Sequence, residues 1–169
     1  MSTTLPDLAI LAADGGIAAE GTPRWHAGHL FEFLATRTTT GGAFALLRVT
    51  CRPGFDPPRH VHAHEDELWH VLEGRASFGI GDEVVRAGPG DTIWTPRGVP
   101  HAPRFESDVV RLLVLITPGG GERLFEEFSV PAAQHTLPPL GEHLPDFAAM
   151  GRRMGELGID VVGPPLGGA

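Results

Sequence analysis

Turn punctuation constrains this chain more than any other feature. From about residue 28 to 118, short apolar runs are cut repeatedly by turn signals. These fall at Gly41-Gly42, Arg52-Pro53-Gly54, Gly81-Asp82, Gly88-Pro89-Gly90 and Pro118 to Gly121. The runs are rich in Val, Ile, Leu, Phe, Trp and Thr, and several alternate apolar with polar. They predict strands over 29–35, 43–51, 59–64, 67–73, 75–80, 83–87, 91–95, 100–105 and 109–117. With 23 glycines and 16 prolines in 169 residues, many turns between short elements are expected, and long helices are not. Regularly spaced short strands point to an all-β sandwich or small barrel. A hydrophobic fraction of 41% is enough to fill its core.

The flanks differ in character. Residues 1–27 form a lead-in with turn signals at Gly15, Gly16, Gly21 and Pro23. Beyond the expected barrel at 28–118, residues 119–169 carry two helical patterns. Leu124, Phe125 and Phe128 give one over 122–128. Phe147, Met150, Met154 and Leu157 give another over 145–157, with Pro145 suited to its first turn and Gly158 to its end. These helices are expected to pack on the β-body rather than to form a second domain. A helix at a barrel mouth can serve as a lid, but support is the simpler role.

Charge and cysteine use narrow the function classes. All 13 basic residues are Arg, and with 21 acidic residues the formal net charge is −8. Such a surface is ill suited to nucleic acid or to anionic membranes. The apolar stretch Leu8–Ala13 is too short for a signal peptide or a membrane span, so a cytoplasmic protein is expected. The single cysteine, Cys51, excludes an intrachain disulfide and a thiolate-rich zinc site, and reads as an inert core thiol.

Histidine is concentrated instead. On a strand, His60 and His62 point to the same face, so both imidazoles can reach one ion without backbone strain. Glu67 opens the next alternating run. If the chain turns at 64–66, its carboxylate can aim back at that ion. Pro96 and Gly98 form a tight turn, and His101 follows Gly98 by three residues. Three imidazoles and a carboxylate make a borderline N/O site. It suits one divalent transition ion (Fe, Mn, Ni, Co, Cu or Zn) and keeps positions open for water or substrate. His64 is expected in the turn or behind the ligands, Glu65 and Asp66 as solvated charges, and His70 on the opposite face. His26, His29, His135 and His143 lack ligand spacing and are expected to be ordinary.

Two segments resemble the motifs of the cupin superfamily. The first, G-x5-H-x-H-x3,4-E-x6-G, is met by Gly54, His60, His62, Glu67 and Gly74. The second, G-x5-P-x-G-x2-H-x3-N, is met by Gly90, Pro96, Gly98 and His101, with Phe105 where Asn is usual. The resemblance implies a double-stranded β-helix, or jelly-roll barrel, with His60, His62, Glu67 and His101 as metal ligands near one mouth. Looser likeness in the 38–47, 57–74 and 118–125 segments is to the quercetinase-like monocupins. That likeness implies dioxygenation of a small aromatic hydroxy-ketone, with Glu67 as ligand and possible base. Non-redox cupin enzymes and non-catalytic binding cupins are the alternatives. Apolar side chains would then hold a flat substrate and exclude water. Trp69, on the Glu67 face, and Phe105, in phase with His101, are the first choices; Phe44, Phe78 and Trp94 follow. The family also implies a homodimer, with residues 28–35 as the exchanged strand.

Overall fold

The computed structural model describes residues 21–167. Expectations that fall on residues 1–20, including most of the lead-in and the Leu8–Ala13 stretch, lie outside the described residues. The chain forms β1 (Thr22–His26), β2 (His29–Ala35), β3 (Ala45–Cys51), β4 (Pro58–His62), β5 (Asp66–Glu73), β6 (Ala76–Ile80), β7 (Glu83–Ala87), β8 (Thr92–Thr95), β9 (His101–Phe105) and β10 (Val110–Thr117). There follow helix α1 (Arg123–Glu127), β11 (Val130–Pro131), helix α2 (Phe147–Glu156) and β12 (Ile159–Pro165).

The strands build two antiparallel sheets, in the orders β11-β1-β2-β3-β10-β5-β8 and β12-β4-β9-β6-β7. This is the expected all-β jelly roll with short C-terminal helices. The period-2 pattern decides which side chains enter it. On β10, Val110, Leu112, Val114 and Ile116 are buried, while Arg111 faces solvent. They meet Leu47 and Val49 of β3 and Val71 of β5 in the core between the sheets. Gly74 ends β5 at φ +78°, and a Cβ there would collide with the Val109 carbonyl oxygen, so only glycine makes this turn.

The sheets extend beyond the punctuated region. β1, which precedes the 28–118 span, pairs with β2 inside it. β12 pairs antiparallel with β4, setting Ile159 opposite His62 and Val161 opposite His60. The local pattern predicts no strand there, because Gly163, Pro164 and Pro165 interrupt it. A proline tail is tolerated on β12 because the strand lies at a sheet edge. β2, the segment expected to be exchanged between copies, is placed between β1 and β3 of its own chain. No helix among the described residues is long and apolar enough to cross a membrane.

The helices sit on the barrel. Asp146 caps α2, its carboxylate accepting the Ala149 amide at 3.0 Å. Met154 is buried against Leu124 of α1 and Ile159 of β12, with Met150 and Leu157 alongside. Arg153 joins the two helices through Glu127, at 2.7 and 2.8 Å.

Candidate metal centre

Sequence alternation and one strand pairing place the candidate ligands. His60 and His62 share a face of β4, and His101 of β9 lies directly opposite His60 in the register. Glu67 comes from β5 in the other sheet, where it pairs with Ile116 and Thr95. Two contacts fix the turns between these strands. The Gly98 amide donates to the His62 carbonyl at 2.8 Å. Arg97 reaches the Asp66 carboxylate with its backbone amide at 2.8 Å and its guanidinium at 2.8 and 3.1 Å. These bonds hold the Asp66 carboxyl down at about 2. Asp66 therefore works as a clamp rather than as a loose surface charge.

The four side chains converge. One ligand atom from each of His60, His62, Glu67 and His101 lies within 4.8 Å of the others, and all four residues are buried. His101 Nε2 is 3.0 Å from Glu67 Oε2, and His62 Nε2 is 3.7 Å from Glu67 Oε1. The outward ring nitrogens are already committed. His60 Nδ1 donates to the Pro58 carbonyl at 2.8 Å and His101 Nδ1 to the Val99 carbonyl at 3.1 Å. His62 Nδ1 faces the Glu65 carboxylate at 3.4 Å. Each ring thereby turns Nε2 inward, where loss of its proton to an incoming ion would free a lone pair, the arrangement that orients metal-binding imidazoles.

The electrostatics are those of a cation site. Burial would raise the Glu67 carboxyl, but the adjacent His62 charge and the His101 hydrogen bond outweigh it and bring the group to about 2. Burial takes His60 down to about 4, and neighbouring His101 adds to the effect. His62 moves the other way: burial opposes its charge, yet the Glu67 and Glu65 carboxylates raise it. Three imidazoles and one carboxylate in a buried cluster fit a divalent transition ion.

A cavity of about 280 Å³ opens beside the cluster. His60, His62 and Glu67 line one end, and its walls include Leu47, Val49, Trp69, Phe105 and Val114. Of the five aromatic residues singled out in the sequence, Trp69 and Phe105 line this cavity. Trp69 is fixed by its indole N–H, which donates to Thr95 Oγ1 at 3.3 Å. The other three aromatic candidates stand elsewhere. Phe78 is in the core behind Trp69, with ring centroids 5.7 Å apart. Trp94 is 48% exposed, because β8 turns Ile93 and Thr95 inward and Trp94 outward. Phe44 is 37% exposed in the loop before β3. His64 is exposed, and His70 leaves the ligand face to meet Thr92 Oγ1 at 2.9 Å.

Sequence reasoning missed several residues. Glu65, expected in solvent, is 6% exposed and touches the His62 ring. Its position three residues after His62 was the available signal. His26 and His29 are buried on the cavity wall, as is Met154 of α2, with Met150 partly buried beside it. Their spacing held no clue, since the β1–β2 hairpin and α2 arrive by long-range packing.

Comparison with known proteins agrees with this geometry. The Cupin domain family matches residues 47–117. Quercetin 2,3-dioxygenase of Bacillus subtilis is 25% identical over 137 residues, covering 80% of this chain. The match takes in only 40% of that protein, so the chain spans less than half the length of this relative. An uncharacterised protein of Streptomyces coelicolor is 31% identical over 91 residues, which is 54% of this chain and 81% of that one. A Thermotoga maritima structure described as a predicted oxalate decarboxylase has a TM-score of 0.53 at 22% identity. It covers 60% of this chain and 96% of that one. At that identity the likeness concerns the fold alone.

Proposed function

This chain belongs to the cupin superfamily, and from that premise we propose that it is a metal-dependent dioxygenase of a small aromatic hydroxy-ketone of the flavonol kind. One observation carries the proposal: His60, His62, Glu67 and His101 converge, and the first three of them line an otherwise largely apolar cavity. The similarity to quercetin 2,3-dioxygenase supports the same substrate class. An apolar wall also argues against sugar or dicarboxylate substrates, most of whose polar groups would be buried without partners there.

His60, His62, Glu67 and His101 would hold a divalent transition ion, which would supply Lewis acidity and, where redox-active, an electron route to dioxygen. The protein's own part is separable. The carbonyls of Pro58 and Val99 and the Glu65 carboxylate fix the three rings, so the donor set is preorganised. Trp69 and Phe105 hold a flat ring system and keep water away. Glu67 receives the proton of the substrate's enolic hydroxyl. With one carboxylate oxygen of Glu67 on the ion, the other would accept that proton. Its low pKa keeps it ionised at neutral pH, though as a weak base it depends on a substrate hydroxyl made more acidic than usual. A twofold pairing of chains belongs to the same proposal, and light scattering at micromolar concentration tests it.

The deciding experiment joins elemental analysis of protein purified without added metal to an oxygen-electrode screen over flavonols and related phenols. The expected result is Fe, Mn, Ni, Co or Cu near one per chain, with substrate-dependent oxygen uptake. Turnover that persists unchanged without oxygen would replace this reading with non-redox cupin chemistry.

A further inference from the structure

The metal end is not the cavity's only polar feature. His26, ending β1, and His29, opening β2, are both buried and both line it. They are paired in the hairpin register, yet their hydrogen bonding differs. His29 has both nitrogens engaged: Nε2–H donates to the Phe55 carbonyl at 3.0 Å and Nδ1 accepts the Arg52 amide at 3.4 Å. That ring ties two loops together and has nothing left to offer a ligand.

His26 uses only one nitrogen. Nδ1–H donates to the Phe128 carbonyl at 3.0 Å, and Nε2 has no partner among the described residues. Among those residues, the buried side-chain polar atom both unpartnered and sealed from space is Arg52 Nε, so His26 Nε2 opens on the cavity. The ring is held edge-on by Phe31 and Phe125, each with centroids 5.3 Å away, so the nitrogen is fixed in direction. Burial lowers the pKa of His26, and the neutral ring then presents a lone pair rather than a second N–H. A fixed acceptor in an apolar wall recognises a donor.

We propose that His26 determines specificity by accepting, at Nε2, a hydrogen bond from a hydroxyl on the part of the substrate remote from the His60–His62–Glu67–His101 cluster. This rests on the preceding reading that the cavity takes a planar aromatic hydroxy-ketone; it adds that this substrate carries a second, distal hydroxyl. A ligand without that hydroxyl leaves a buried acceptor unpaired, which corresponds to about a fivefold to tenfold loss of affinity.

The test is anaerobic binding to the metal-loaded protein, followed by quenching of tryptophan fluorescence. The probes are 3-hydroxyflavone, 3,4′-dihydroxyflavone and the 4′-methoxy ether of the latter. The expected result is that the dihydroxy compound binds about fivefold to tenfold more tightly than either of the others. His26→Phe brings it down to the affinity of 3-hydroxyflavone, and His26→Gln, which keeps an acceptor, retains part of the preference. If His26→Phe does not fold, the hydroxyl-to-ether comparison on the native chain and the Gln variant decide. Equal affinities on the native chain, or a preference that survives His26→Phe, overturn the role of His26 and leave the oxygenase reading in place. Failure of all three compounds to bind overturns both.

Discussion

Glu65 is the residue on which the quality of the candidate metal centre turns. Its carboxylate lies 3.4 Å from His62 Nδ1, and its place is shaped by Gly120, where a Cβ would come within 3.2 Å of Glu65 Oε1. Replacing it by Gln removes the negative charge that orients and enriches the His62 ring. Metal affinity should fall about 10- to 100-fold, read by chelator competition, and an unchanged affinity would remove Glu65 from the site. His62→Ala deletes a ligand outright, so metal content in purified protein should drop sharply; full retention would refute the ligand set. The convergence of the four candidate ligands was legible in the sequence because strand parity and short turns are local. Glu65 was not, since its burial depends on Gly120 and Gly121 arriving from the far end of β10. Trp94 failed as a wall residue for a related reason. Its aromatic character was visible, but the face that β8 turns to the cavity is set by pairing with β5.

At the scale of elements, the candidate ligand strand is supported from both sides. β4 pairs with β9 on one flank and β12 on the other, so His60 and His62 sit in an interior strand. β12 is in turn covered by α2 through Met154, which is 6% exposed and meets Leu124 and Ile159. The sequence pattern showed the helix and its cap but not β12, because strand pairing is long-range and Gly163 with Pro164 and Pro165 weakens the local signal. Met154→Ala should open a void under α2. Part of that side chain already borders the cavity, so the cost belongs near the low end for such truncations, about 2 kcal/mol. Chemical denaturation would show it as a lower midpoint with an unchanged slope. A loss under about 0.5 kcal/mol would mean that α2 is not anchored by this contact.

For the whole molecule, the buried histidines set a direction for stability against pH. His29 and His60 are each held near 4, well under the 6.5 of an unfolded chain, chiefly by burial. A base whose folded pKa is depressed binds its proton more readily when unfolded. The fold is therefore favoured above about pH 6.5, and that advantage is lost as pH falls toward 4. Each residue contributes on the order of 3 kcal/mol across that window. Glu67 acts lower down: its group near 2 against an ordinary 4.5 stabilises the fold above about pH 4.5, with loss continuing toward 2. His62 has the opposite sign, being raised, and favours the fold below 6.5, so it offsets part of the neutral-pH gain. With more groups of the first kind, the metal-free protein should lose melting temperature steadily from pH 7 to pH 4. Bound metal should steepen that loss, because protons compete with it for His60, His62 and His101. His29 bonds Phe55 and Arg52 away from the cluster, so its share should persist in both forms. Melting curves with and without added metal across this range test the balance. A flat profile without metal would mean that the buried histidines keep their ordinary affinity for protons, and that burial of His29 and His60 does not drive the acid sensitivity of the fold.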